Sequence, residues 1–164
     1  MLARGSHVFA DTNVIIEAHR ASCWGALTGA FRMDTVSRCI EELNTGRRRP
    51  VQVDTQALAA SVQPKVVTPA QVAKLAFLYP ESSDLDPGEQ ELLAFVMDLP
   101  ADTFFVCSPD KAAIRAAHVL KIIERYVALE DLTDAAGIRA DLREQYTKRF
   151  MAQQRSRLLL EDLG

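Results

Sequence analysis

The stretch Val8-Phe9-Ala10-Asp11-Thr12-Asn13-Val14-Ile15 decides the fold class. Three apolar residues run into a polar break at Asp11, Thr12 and Asn13. Apolar residues then recur at Val14, Ile15 and Ala18. The first spacing is that of a buried strand, and the second is that of one helix face. Strand, turn and helix follow one another within a dozen residues, and the rest of the chain repeats the alternation.

Working outward, residues 21–31 predict a second short helix around Trp24 and Leu27, and 34–36 a short strand. Residues 37–44 predict a helix carrying Cys39, Ile40 and Leu43, closed by Gly46 as a C-terminal cap. Strands are expected at 51–53 and 65–67, with a short helix over 56–61 between them. Thr68 caps a helix over 69–79, with Pro69 at its first position. A loop over 80–86 leads to a helix over 87–99 and a buried strand over 103–107. Ser108-Pro109-Asp110 opens a helix reaching Lys121, and 126–128 is a last short strand. Gly137 then separates a long amphipathic helix over 138–160. Strands alternating with helices predict a three-layer α/β/α sandwich around a mainly parallel sheet, with a C-terminal helical extension. Residues 1–136 are expected to form the core of this domain and 137–164 an extension packed onto it. In such sheets the functional crevice lies at the carboxyl ends of the strands.

The chain has 164 residues, 48% hydrophobic and 25% charged, which is the profile of one ordinary folded domain. Cys23, Cys39 and Cys107 form no C-x-x-C pair, so neither a zinc ribbon nor a disulfide framework is supported. Reduced thiols and the lack of an apolar N-terminal core predict an intracellular, cytoplasmic protein. The longest apolar run, residues 92–97, is far short of the roughly 20 residues a membrane span requires. A net charge of −3 argues against holding nucleic acid by bulk charge, though not against an enzyme that acts on it at a local site. Eight acids and no Lys or Arg lie between Glu81 and Asp110. Arg47-Arg48-Arg49 is the best-placed basic cluster for an RNA backbone, set against its plainer role as a solvated turn.

Helical angles sort the acids. Asp11, Glu89 and Asp110 each fall on the apolar stripe in the first turn of a helix. Glu42 flanks the stripe of Cys39, Ile40 and Leu43, while Glu41 points further away. Each acid has a plain explanation as a helix cap, and Asp86-Pro87-Gly88-Glu89 fits a capping box. Their convergence is harder to explain that way. Carboxylates about 4 Å apart repel by roughly 4 kcal/mol per pair at an effective dielectric near 20, against about 1 kcal/mol from a cap. A divalent cation offsets that repulsion, and all-oxygen donors select Mg2+ or Mn2+. The chemistry served is metal-assisted attack of water on a phosphodiester. His7, His19 and His118 have no ligand spacing, and no P-loop, G-x-G-x-x-G or G-x-S-x-G occurs.

These residues carry a resemblance. The stretch from Val8 to Ile15, Glu42-Leu43, Pro87-Gly88-Glu89, and Phe104–Cys107 leading to Ser108-x-Asp110 are similar, in order, to the motifs of the PIN-domain family. The similarity spans about residues 7–130. The resemblance implies an α/β/α sandwich that acts as a Mg2+- or Mn2+-dependent ribonuclease. It implies that Asp11, Glu42, Glu89 and Asp110 are the catalytic, metal-binding acids and that Thr12, Asn13 and Ser108 orient them. It also implies an RNA substrate, an antitoxin partner if the chain is a VapC-type toxin, and a homodimer. The contrasting expectation is a catalytically silent PIN-like module that binds RNA or protein. The 46–86 stretch is long for a compact toxin, and the helix over 138–160 lies beyond the usual core.

Overall fold

The computed structural model describes residues 1–46 and 51–164, so Arg47, Arg48 and Arg49 lie outside the described residues. The strands are β1 (His7–Ala10), β2 (Arg32–Asp34), β3 (Phe105–Cys107) and β4 (Tyr126–Val127). All are parallel, in the order β2-β1-β3-β4. The helices are α1 (Thr12–Arg20), α2 (Trp24–Ala30), α3 (Ser37–Thr45), α4 (Thr55–Val62), α5 (Pro69–Leu78), α6 (Pro87–Val96), α7 (Lys111–Val119), α8 (Leu129–Ala136) and α9 (Lys148–Leu163).

Successive side chains of a strand point to opposite faces, and this builds the three layers. Phe9, Val106 and Tyr126 face a core completed by α5, α6, α7 and α9, including Leu75, Leu92, Ile114 and Leu158. Val8, Ala10, Phe105, Cys107 and Val127 face the opposite core, with α1, α2, α4 and α8. Helix α3 straddles the two: Cys39 belongs to the first core, and Ile40 and Leu43 to the second. The chain is therefore the expected α/β/α sandwich, with its sheet parallel throughout.

Several elements differ from the expectations. The second strand is Arg32–Asp34, not 34–36, because Thr35 has turned to donate its hydroxyl to Ala10 O at 2.8 Å. Residues 51–53 and 65–67 form no strand; the latter contributes one isolated bridge, Val36 to Lys65. Helix α6 ends at Val96 rather than 99.

The largest correction is at the C-terminus. The helix expected over 138–160 begins only at Lys148, where Thr147 caps it by accepting a hydrogen bond from Phe150 N. Residues 138–143 are a non-helical strap, two of whose backbone groups are taken by side chains of α1. Arg143 N donates to the Glu17 carboxylate at 3.0 Å, and Arg20 donates to Asp141 O at 2.5 Å. Tyr146 and Leu158 are buried in the two cores, so the extension packs on its own chain. Arg155 donates to Ile123 O and Tyr126 O and ties α9 to β4. Among the described residues no helix is long and apolar enough to cross a membrane.

Candidate functional site

The strand order reverses between β1 and β3: the chain leaves β1 for β2 on one side and reaches β3 on the other. A crevice opens at the carboxyl ends of strands flanking such a reversal. Asp11 is the first residue beyond β1, and Ser108 the first beyond β3. Asp11 N donates to Cys107 O at 3.3 Å, which ties the two strand ends together.

Asp11 caps α1. Its Oδ1 accepts from Val14 N at 2.7 Å, and its Oδ2 accepts from Ser108 Oγ at 2.7 Å. Asp110 caps α7 by accepting from Ala113 N at 2.8 Å, while its own N–H donates to Ser108 Oγ at 3.3 Å. The plain capping roles of these two acids are therefore real, but each uses one oxygen. Ser108 joins the pair across the edge.

Glu42 approaches from α3. Thr12 Oγ1 donates to its Oε2 at 2.6 Å, and Gly88 N donates to its Oε1 at 2.8 Å. Glycine is required at 88 for this approach, because a Cβ there would sit 2.6 Å from Glu42 Oε2. Glu41 is exposed and pairs with Arg38 at 3.2 Å. Glu89 enters from the first turn of α6 and is buried. The Asp86 side chain makes no capping hydrogen bond, so the expected capping box is not formed.

Asp11, Thr12, Asn13, Glu42, Asp86 and Glu89 line a cavity of about 330 Å³, and no described Lys, Arg or His lines it. Asp110 sits at the neighbouring rim, within hydrogen-bonding reach of Glu89. The crowding shows in the acidities. Burial pushes Glu89 up to about 9, reinforced by the charges of Asp110, Asp11 and Asp86. Burial likewise pushes Asp11 up to about 6, with Asp110 and Glu42 adding to it and the Ser108 and Val14 hydrogen bonds opposing it. A carboxyl near 9 carries its proton at neutral pH.

The donor chemistry suits a hard divalent cation: every side-chain donor is oxygen, and the carboxyls repel one another. Each carboxylate oxygen held by one hydrogen bond retains a second lone pair. Among the described residues no group of three or more His, Cys, Asp or Glu is spaced to hold an ion as the side chains stand. The histidines lie apart from the site. His7 pairs with Asp34 at 2.5 Å, His19 with Ile15 O at 2.7 Å, and His118 with Asp162 at 2.7 Å. The cysteines are free and buried.

Of the residues singled out from the sequence, Asp11, Thr12, Asn13, Glu42, Glu89, Ser108 and Asp110 gather at one sheet edge. Sequence patterns did not point to Gly88 or Glu17. Gly88 carries a signal in Pro-Gly-Glu, where alanine would make the better helix. Glu17 carries one as an acid on the inward face of α1 beside Ala18.

No family model matches the chain, and no curated protein or solved structure matches it.

Proposed function

We propose that this chain is a PIN-like, metal-dependent endoribonuclease working at the carboxyl edge of β1 and β3. One observation supports it above the others. Two buried carboxyls, Asp11 and Glu89, are pushed to about 6 and about 9 beside further acids, at the reversal of strand order. Perturbed acidities cluster at functional sites, and a strongly raised acid in a cleft is a candidate for one.

Asp11, Glu42, Glu89 and Asp110 would hold Mg2+ or Mn2+. When bound, the cation supplies Lewis-acid polarisation of a phosphoryl oxygen and lowers the pKa of a nearby water. The chain's own residues supply position and proton bookkeeping. Ser108 and Val14 N–H fix both Asp11 oxygens. Thr12 and Gly88 N–H fix both Glu42 oxygens. Glu89 carries a proton at neutral pH and must release it before all four acids are charged.

The test is cleavage of a panel of RNAs in Mn2+ and in EDTA. Cleavage in Mn2+ alone is expected, with a loss of at least about a hundredfold in Asp11→Asn. The fold should survive, since asparagine keeps an oxygen for Val14 N. Equal cleavage by the purified variant would remove the mechanism.

The absence of a ready three-acid group among the described residues favours a second reading, a catalytically silent module of the same fold that binds RNA or protein. Manganese separates the two, because a ligand that binds only the folded state raises the melting temperature. The resemblance also implies a toxin with an antitoxin partner; a small DNA-binding protein encoded beside this chain and binding it would support that setting.

A further inference from the structure

A second cavity, of about 520 Å³, lies against Asp110 and is lined by Asn13, Lys111, Arg143, Tyr146 and Phe150 among others. It shares Asn13 with the acidic cavity, so the two adjoin along one edge. Unlike its neighbour, it carries cations, set beside the Asp110 carboxylate. Lys111 is exposed, and Arg143, whose Nε pairs with Glu17 at 3.8 Å, keeps its side chain 53% exposed, so both cations reach solvent at its rim. Glu17 also lines it, but that carboxylate is already engaged by Arg20 at 2.5 Å. Aromatic surface comes from Phe150, half-buried; Tyr146 beside the cavity is buried, and its hydroxyl donates to Asn13 O at 3.2 Å.

The wall is pre-organised. Residues 138–146 are held to α1 by the Arg143 N–H on Glu17, by Arg20 on Asp141 O, and by Tyr146 on Asn13 O. Ordering a loop on binding lowers affinity, and a wall already ordered avoids that loss. Two cations with an aromatic face, next to an acidic centre, match a strand of phosphates carrying flat bases. Proteins bind single strands with this combination. The volume lies within the range of pockets that enclose a small ligand.

We propose that this cavity is a nucleotide subsite for single-stranded RNA. In it Lys111 and Arg143 bind the phosphate next to the one cleaved, and Phe150 receives its base. The proposal rests on the nuclease reading above and names the element that seats the substrate: the C-terminal strap with the start of α9.

Binding of a short fluorescein-labelled single-stranded RNA to the full chain, read by anisotropy in Ca2+, tests it. Lys111→Gln with Arg143→Gln should bind about tenfold more weakly, and the slope of log affinity against log salt should flatten by roughly 0.7, one phosphate's worth. Phe150→Leu, which keeps the packing, should weaken binding several-fold with the salt slope unchanged. Arg149→Gln, exposed on α9, should bind like the unaltered chain. Equal weakening by Arg149→Gln would mean diffuse charge and would overturn the subsite. Unaltered affinity in the Lys111, Arg143 and Phe150 variants, with cleavage in Mn2+ intact, overturns the subsite and leaves the nuclease reading standing. The expected losses in a chain that does not cleave support the subsite and overturn the nuclease reading. A chain that neither binds nor cleaves RNA overturns both.

Discussion

Glu89 is a carboxyl held where water scarcely reaches and other acids surround it, and its titration has a consequence for stability. Its pKa rises from 4.5 to about 9 on folding, so the folded chain binds that proton more tightly than the unfolded chain does. The contribution is whole below the unfolded value and is lost as pH rises through about 9. Asp11 acts with the same sign between 3.8 and about 6. Thermal melts in EDTA should therefore show stability falling from about pH 4 to about pH 9. Glu89→Gln should flatten the upper part and raise stability near pH 8; a profile identical to the unaltered chain's contradicts the burial of an uncompensated acid. Gly88 gives a second test. In Gly88→Ala the new methyl must move the Glu42 carboxylate, the flexible end of a side chain, while alanine favours the helix. Stability should change by less than about 1 kcal/mol, yet cleavage should fall by about a hundredfold through misplacement. Unchanged cleavage would show that the seat of Glu42 is immaterial. Asp11, Glu89 and Asp110 were legible from sequence because each follows a strand or opens a helix on its apolar face. The Ser108 bond to Asp11 spans 97 positions and leaves no periodic trace.

Among the elements, the strap over 138–146 departs furthest from its sequence. Its apolar spacing is helical, but periodicity records which residues face inward and not where backbone donors go. Here the Arg143 N–H goes to Glu17, 126 positions away. The Glu17 carboxyl lies below its ordinary value: burial would raise it, but hydrogen bonds from Arg20 and Arg143 N outweigh that. Glu17→Gln keeps an acceptor and loses the charge. The expected cost is about 2 kcal/mol in urea melts, with faster hydrogen exchange at 138–146 and little change in β1 and β3. Exchange unchanged at the strap would show that the Glu17 latch does not hold it. Helix α5, by contrast, was fully legible, because Thr68, Pro69 and Gln71 form a local capping box. Signals within one turn survive in sequence, and ties between distant segments do not.

Across the molecule, the parallel sheet and its reversal of order between β1 and β3 bring together acids that the chain scatters from Asp11 to Asp110. The layer arrangement was legible from strands alternating with helices. The edge on which the acids meet follows from the strand order, which no local pattern encodes. The overall charge of −3 hides two adjoining cavities, one lined by no described cation and one that sets Lys111 and Arg143 beside Glu17 and Asp110. The central claim, that the acidic edge binds a divalent cation, is tested most directly by calorimetric titration with Mn2+ in buffers of different ionisation enthalpy. The unaltered chain should bind with release of a proton, because Glu89 must ionise to take part. The double variant Glu42→Gln, Glu89→Gln should bind at least about tenfold more weakly and release none. Absence of binding by the unaltered chain, or equal binding by both, would contradict the claim.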